Sequence, residues 1–278
     1  MKKITIFLLL SLLFFGCDST KIIYEYGDKF FSWQLDSYFD LDSKQEDWVE
    51  ERIKFHLKWH REEELPRYKK FLTDIKYMSG DGITMEEIDE VFLRYESKKK
   101  RIFERLIPDA VLFLKSLSFE QINYLEITMN EENEEIFEEN QNVSELIEER
   151  QENFLEQMED WFGKFSLEQN KQLIKWQEIW FGKYADSIEL RTKSRIKSQT
   201  QFLTIMRSTP SNKELMEWII NWTDGWGREK NSEYKARILR GKKRILEVDK
   251  FINPEQRQHA LEELDDWVEI IDQTIVTN

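Results

Sequence analysis

Leu117-Ser118-Phe119-Glu120-Gln121 is a complete helix start. A hydroxyl at the cap position accepts from the backbone N–H three residues on. A Gln at that third position reaches back to the cap's own N–H, and the leading hydrophobe is placed as a staple. The same pattern recurs as Phe165-Ser166-Leu167-Glu168-Gln169 and as Ile252-Asn253-Pro254-Glu255-Gln256, where proline takes the first helical position. Leu41-Asp42-Ser43-Lys44-Gln45 is a looser copy. Ser43/Glu46, Thr84/Glu87 and Ser211/Glu214 have the same cap spacing. Each start is followed by apolar residues at helical spacing, so the chain is expected to be all-α.

Composition agrees. The 278 residues include only 9 Gly and 4 Pro, so turn formers are scarce and helix formers abound. Alternating apolar and polar runs bounded by Gly or Pro are missing, and no strand is predicted. The expected helices run from Ser43 to a break at Pro66, Thr84 to Leu106 with a break at Pro108, Ser118 to Phe162, Ser166 to Arg207, Ser211 to Val248, and Asn253 to Ile275. An amphipathic segment covers Lys29 to Tyr38. In the 118–162 segment the apolar residues fall near a 3.5-residue period, which predicts a coiled-coil-like helix. The fold expected is therefore an elongated multi-helix bundle with one long coiled-coil-like helix.

Residues before position 18 carry an address. Lys2 and Lys3 precede an almost unbroken apolar run from Ile4 to Phe15, then Gly16 and Cys17, the single cysteine of the chain. A basic start, a short apolar stretch and a small residue have the form of a secretory signal peptide. The run is about 12 residues, short of the roughly 20 needed to span a bilayer. Phe14-Phe15-Gly16-Cys17 resembles the lipobox of bacterial lipoproteins, with Phe14 where Leu is usual. That resemblance implies cleavage before Cys17 and acylation of its thiol and new amine. Asp18 resembles the inner-membrane retention signal of enteric lipoproteins, which favours the inner over the outer membrane. The domain organisation expected is a signal peptide over 1–16, a lipidated tether over 17–27 and one all-helical periplasmic domain over 28–278.

Charge sets limits on partners. The chain has a net charge of −14, and loss of Lys2 and Lys3 with the first 16 residues deepens it to −16. Nucleic acid phosphates repel such a surface, so no nucleic-acid partner is expected. Attachment through acyl chains fits better than electrostatic adsorption to anionic headgroups. With one cysteine, neither a disulfide nor a thiolate metal site is available within the chain.

Two further segments look familiar. Trp33-Gln34-Leu35-Asp36-Ser37-Tyr38-Phe39-Asp40-Leu41-Asp42 is followed by Trp59-His60-Arg61-Glu62-Glu63-Glu64-Leu65-Pro66-Arg67-Tyr68. With the lipobox, the Trp161-Phe162-Gly163 step and the terminal Asn-Pro-Glu-Gln helix, the chain resembles a family of proteobacterial lipoproteins of unknown function. The resemblance implies an envelope location and a helical fold, and it supplies no catalytic residues. The repeated cap corners also resemble the L-T-x-x-Q motifs of small helical periplasmic stress proteins and chaperones, with Ser or Asn in place of Thr.

Candidate sites are few. His56 and His60 are four apart on one helical face, with Glu64 a turn further on. Two imidazoles and a carboxylate are the donor set of a three-ligand zinc site, although H-E-x-x-H is absent. A structural role, with His60, Arg61, Glu64 and Tyr68 fixing the chain around Pro66, is the competing and preferred reading. Trp59, Arg61 and Tyr68 are also candidates for an interaction surface. Of the 10 tryptophans, Trp218, Trp222 and Trp226 form an i, i+4, i+8 stripe and Trp176 and Trp180 a shorter one. Both stripes are expected in the core. Acids dominate from Glu126 to Asp160, and the basic stretch Arg191 to Arg207 is placed to lie against them. No phosphate loop and no G-x-S-x-G or Cys/His nucleophile pairing occurs. No cofactor and no catalytic residue is therefore expected. The function expected is a non-enzymatic interaction or chaperone-like module, anchored to the membrane through Cys17 and meeting an unidentified envelope protein. The alternative is a metal-binding or hydrolytic envelope protein centred on His56, His60 and Glu64.

Overall fold

The computed structural model describes residues 17–181, 184–225, 230 and 232–276. Residues 1–16, expected from the sequence to be a signal peptide, and Trp226 lie outside the described residues. The described chain is all-helical. Its elements are α1 (Cys17–Phe39), α2 (Ser43–Trp59), a π-turn (His60–Glu64), α3 (Leu65–Ser79), α4 (Met85–Ser116), α5 (Phe119–Glu139), α6 (Val143–Phe162), α7 (Leu167–Phe181), α8 (Tyr184–Arg207), α9 (Asn212–Gly225), α10 (Ser232–Phe251) and α11 (Pro254–Val276).

The helix starts follow their caps. At Thr84 the hydroxyl accepts from the Glu87 N–H at 3.2 Å while the Glu87 carboxylate accepts from the Thr84 N–H at 2.8 Å. Reciprocal pairs of the same kind close at Ser118/Gln121, Ser166/Gln169, Ser211/Glu214 and Asn253/Gln256. One start differs. The cap of α2 is Asp42, paired with Gln45, and Ser43 is already helical. The looser copy of the motif is thus the one that forms there, because a carboxylate is as good an N-cap as a hydroxyl.

Four helix boundaries correct the sequence reading. The 118–162 segment is two helices, α5 and α6, not one coiled-coil-like helix. Asn142 gives its amide to Glu145 at 2.6 Å and accepts from Ser144 at 3.1 Å, and such side-chain bonds compete with the helical ladder. Helix α4 runs on through Pro108 to Ser116, since Ile107 before it and Val111 and Leu114 beyond it are buried and hold the turn despite the lost N–H. The 166–207 segment divides into α7 and α8, and 211–248 divides into α9 and α10. Residues 17–27, expected as a tether, belong to α1.

The chain divides into two compact units. One comprises the part up to Ser79 together with the stretch from Leu261, and the other is Gly80–Ala260. In the first unit α1 packs on α2 through Gly27, whose missing side chain admits Leu57; a Cβ there would sit 3.2 Å from Leu57 Cδ1. Val49, Leu65, Phe71, Ile270 and Ile271 are buried, and Lys69 bonds Asp272 at 2.6 Å.

The second unit holds a cluster of Met158, Phe165 and Leu173, flanked by Phe154, Trp176 and Phe251. The acidic α5 and basic α8 meet as expected: Arg195 pairs with Glu132 at 2.5 Å and Arg207 with Glu126 at 2.5 Å. Two copies of the cap motif also meet. Gln169 donates to Gln256 Oε1 at 2.7 Å, and Gln256 donates to the Lys164 carbonyl at 3.0 Å. Phe165 and Phe251 stack beside them with centroids 6.2 Å apart. The Trp stripe is not the core anchor expected. Trp218 and Trp222 are half-buried and stacked on each other, while Leu215 and Ile219 take the buried positions.

Candidate functional site

The most unusual local geometry lies in the first unit, in the segment Trp59–Tyr68. Pro66 has no N–H to offer the carbonyl four residues back. The chain answers with a wider turn just upstream: the Leu65 N–H donates to the His60 carbonyl, five residues back, and His60–Glu64 form a π-turn. Such turns are frequent at functional positions. The break expected at Pro66 does not form: the chain stays helical from Ser43 to Ser79, with the π-turn absorbing the missing N–H.

The turn drives two polar residues inward. His60 is 8% exposed and Glu64 is fully buried at 0%. The Tyr24 hydroxyl, from α1, meets His60 Nδ1. Burial depresses the imidazole to a pKa of about 4, so at neutral pH it is uncharged. Burial, with Tyr68 adding to it against the opposing pull of Arg61, raises the Tyr24 phenol above its ordinary value. The phenol therefore keeps its proton, and a neutral phenol and a neutral imidazole share the hydrogen bond. The Tyr68 ring stands edge-on to His60 at 5.3 Å and Trp59 at 6.4 Å, both half-buried. Glu64 Oε1 lies 3.7 Å from Arg67 Nε.

Arg61 points elsewhere. It lines an open cleft of about 240 Å³ with Tyr24, Glu25 and Asp28 from α1 and Lys54, Leu57 and Lys58 from α2. Inside it Lys54 bridges Asp28 at 3.3 Å and Glu50 at 2.6 Å.

The candidate residues thus separate. His60, Glu64, Trp59 and Tyr68 gather around the π-turn, and Arg61 joins the cleft wall. The proposed metal triad does not assemble: among the described residues no three His, Cys, Asp or Glu side chains come together to hold a metal ion. His60 Nδ1 is turned to Tyr24 instead. His56 is half-buried on α2 with its ring against Phe55. Tyr24 lies within 17–27, the segment whose sequence suggests a tether. Its spacing to Gly27 and Phe31, i, i+3 and i+7, carries the signal of a packed helical face. Cys17 and Asp18 fall in the first turn of α1.

The chain belongs to a family of unknown function, DUF6279, whose model matches residues 37–231. The match includes the whole Trp59–Tyr68 segment and stops short of Tyr24. Neither the curated proteins nor the solved structures give a match. Among the described residues no helix is long and apolar enough to cross a membrane.

Proposed function

We propose that this protein is a bacterial lipoprotein held on the periplasmic side of a membrane by acyl chains on Cys17, and that its helical units act as a non-enzymatic interaction or chaperone-like module of the envelope. The observation that carries the reading is the sequence Phe14-Phe15-Gly16-Cys17 at the end of a short apolar run behind two lysines. Two or more acyl chains hold a protein stably where one does not, each buried CH₂ contributing about 0.8 kcal/mol. The interaction role is supported by the use the chain makes of its polar residues. His60, Glu64 and Gln256 are spent inside the fold on hydrogen bonds and burial rather than gathered at a reaction centre.

Asp18 favours the inner membrane. Metabolic palmitate labelling tests the anchor: wild-type protein takes up label and Cys17→Ala does not. Label retained by the variant overturns it. Sucrose-gradient fractionation tests the membrane, with co-sedimentation with porins contradicting inner-membrane residence. Crosslinking in whole cells followed by affinity isolation tests the interaction role, which predicts a specific envelope protein joined to the wild-type chain.

A further inference from the structure

Helix α10 is a basic element in an acidic chain. It carries seven Lys and Arg against three Asp and Glu, whereas the whole chain has a net charge of −14. Its cations divide by face. Lys242 turns to α4 and pairs with Asp89 at 2.7 Å, and Arg244 turns to α7 and donates to the Trp180 carbonyl. Val248 and Phe251 pack on the Met158 cluster. Away from these contacts, Lys235, Leu239, Lys243 and Lys250 follow at i, i+4, i+8 and i+15, a single stripe of the helix, and all four are exposed. Among the described residues these three lysines form no ion pair. Arg240, bonded to Glu233, and Glu247 flank the stripe.

Helix α5 of the same unit has a face of opposite charge. One side of α5 takes α8 through Glu126 and Glu132, which pair with Arg207 and Arg195. The other side exposes Ile127, Glu131 and Glu138, with Tyr124 and Glu135 beside them. Glu131, Glu135 and Glu138 form no ion pair among the described residues. The spacing matches that of α10. Glu131 lies four residues beyond Ile127 and Glu138 seven beyond that; Lys243 lies four beyond Leu239 and Lys250 seven beyond that. Laid side by side in the same direction, Leu239 meets Ile127, Lys243 meets Glu131 and Lys250 meets Glu138. Ile127 is 57% exposed and Leu239 48%, so neither is covered within its own chain and the match is one between two molecules.

We infer that the exposed face of α10 docks on the α5 face of a second copy of this chain, with Leu239 on Ile127 followed by the ion pairs Lys243–Glu131 and Lys250–Glu138. The inference uses only the Gly80–Ala260 unit and does not rest on the acyl anchor. Exposed ion pairs are individually weak and are screened by salt, so the association is reversible and salt-sensitive. Two different faces meet, so every copy offers both halves of the contact.

The test is sedimentation velocity on the full chain in a neutral detergent, at about 10 mM and about 0.5 M salt. Reversible self-association is expected at low salt and its loss at high salt. Lys243→Glu/Lys250→Glu weakens it about tenfold or more, and so does Glu131→Lys/Glu138→Lys, with the helical circular dichroism unchanged. All four substitutions in one chain exchange the signs of both faces and restore self-association. A chain that stays monomeric at low salt, an association indifferent to either reversal, or a fourfold variant that does not recover it overturns the inference. Phosphatidylglycerol vesicles are also sedimented with the Cys17→Ala chain, which lacks the anchor. Vesicle binding by a monomeric chain, lost on Lys243→Glu/Lys250→Glu, gives the α10 face to a lipid surface and overturns the inference as well. The single substitutions Lys243→Glu and Glu131→Lys, apart and together, serve if a double variant does not fold.

Discussion

The Tyr24 hydroxyl and His60 Nδ1 are hydrogen-bonded across 36 positions of sequence, joining the first described helix to the π-turn ahead of Pro66. The bond gives the neutral imidazole a partner in a place where its charged form is penalised. Tyr24→Phe leaves that ring nitrogen buried without its partner and should cost about 1–3 kcal/mol. Thermal melting checks it. A melt unchanged by the substitution would show that the pair contributes nothing to folding.

Acid should loosen the fold through His60. In the unfolded chain the imidazole takes its proton near pH 6.5, whereas in the folded chain it resists to about pH 4. Between those values the unfolded state binds the extra proton, so stability falls as pH falls. By pH 5 the loss should be roughly 2 kcal/mol relative to pH 7.5, from 1.36 kcal/mol per pH unit. Denaturant titrations of wild type and His60→Asn at the two pH values isolate the effect from the carboxylates. An equal pH dependence in both proteins contradicts a neutral, buried His60.

Gln256 should matter more than a surface cap. It closes the capping box of α11 and bonds Lys164 and Gln169 while buried. Gln256→Ala should cost about 1–3 kcal/mol. Gln121→Ala, which breaks an exposed cap, should cost about 1 kcal/mol or less. Urea denaturation of both variants orders them, and the reverse order would refute the corner pairing.

Helix α9 offers a similar comparison. Leu215 is fully enclosed and Trp222 is half-buried. Leu215→Ala should cost about 2–5 kcal/mol. Trp222→Ala should cost less, shifting the melt by about 2–4 °C for each kcal/mol lost. A larger shift for Trp222→Ala would restore the indole stripe to the core.

These residues show what the sequence could and could not disclose. Helix starts were legible because capping is a local bargain between residues three apart, as at Thr84/Glu87 and Ser118/Gln121. Helix ends were less so. Pro108 is a strong breaker in isolation, yet tertiary burial of Val111 and Leu114 carries α4 past it. The break at Asn140–Asn142 went unseen because a 3.5-residue apolar period can continue in phase across two helices. Within the candidate site, the structural reading of His60, Arg61, Glu64 and Tyr68 around Pro66 meets buried His60 and Glu64 with Tyr68 edge-on to the imidazole, while Arg61 turns to the cleft wall. The role of Tyr24 was not legible, since the contact joins residues 36 apart and no local rule connects them.

The central claim is that Cys17 becomes the acylated first residue of the mature protein, and mass spectrometry of tryptic peptides from the membrane-extracted chain tests it most directly. The account predicts a peptide Cys17-Asp18-Ser19-Thr20-Lys21 whose mass carries a diacylglyceryl group on the thiol. A peptide that runs unbroken through Gly16-Cys17 with a free thiol would contradict it.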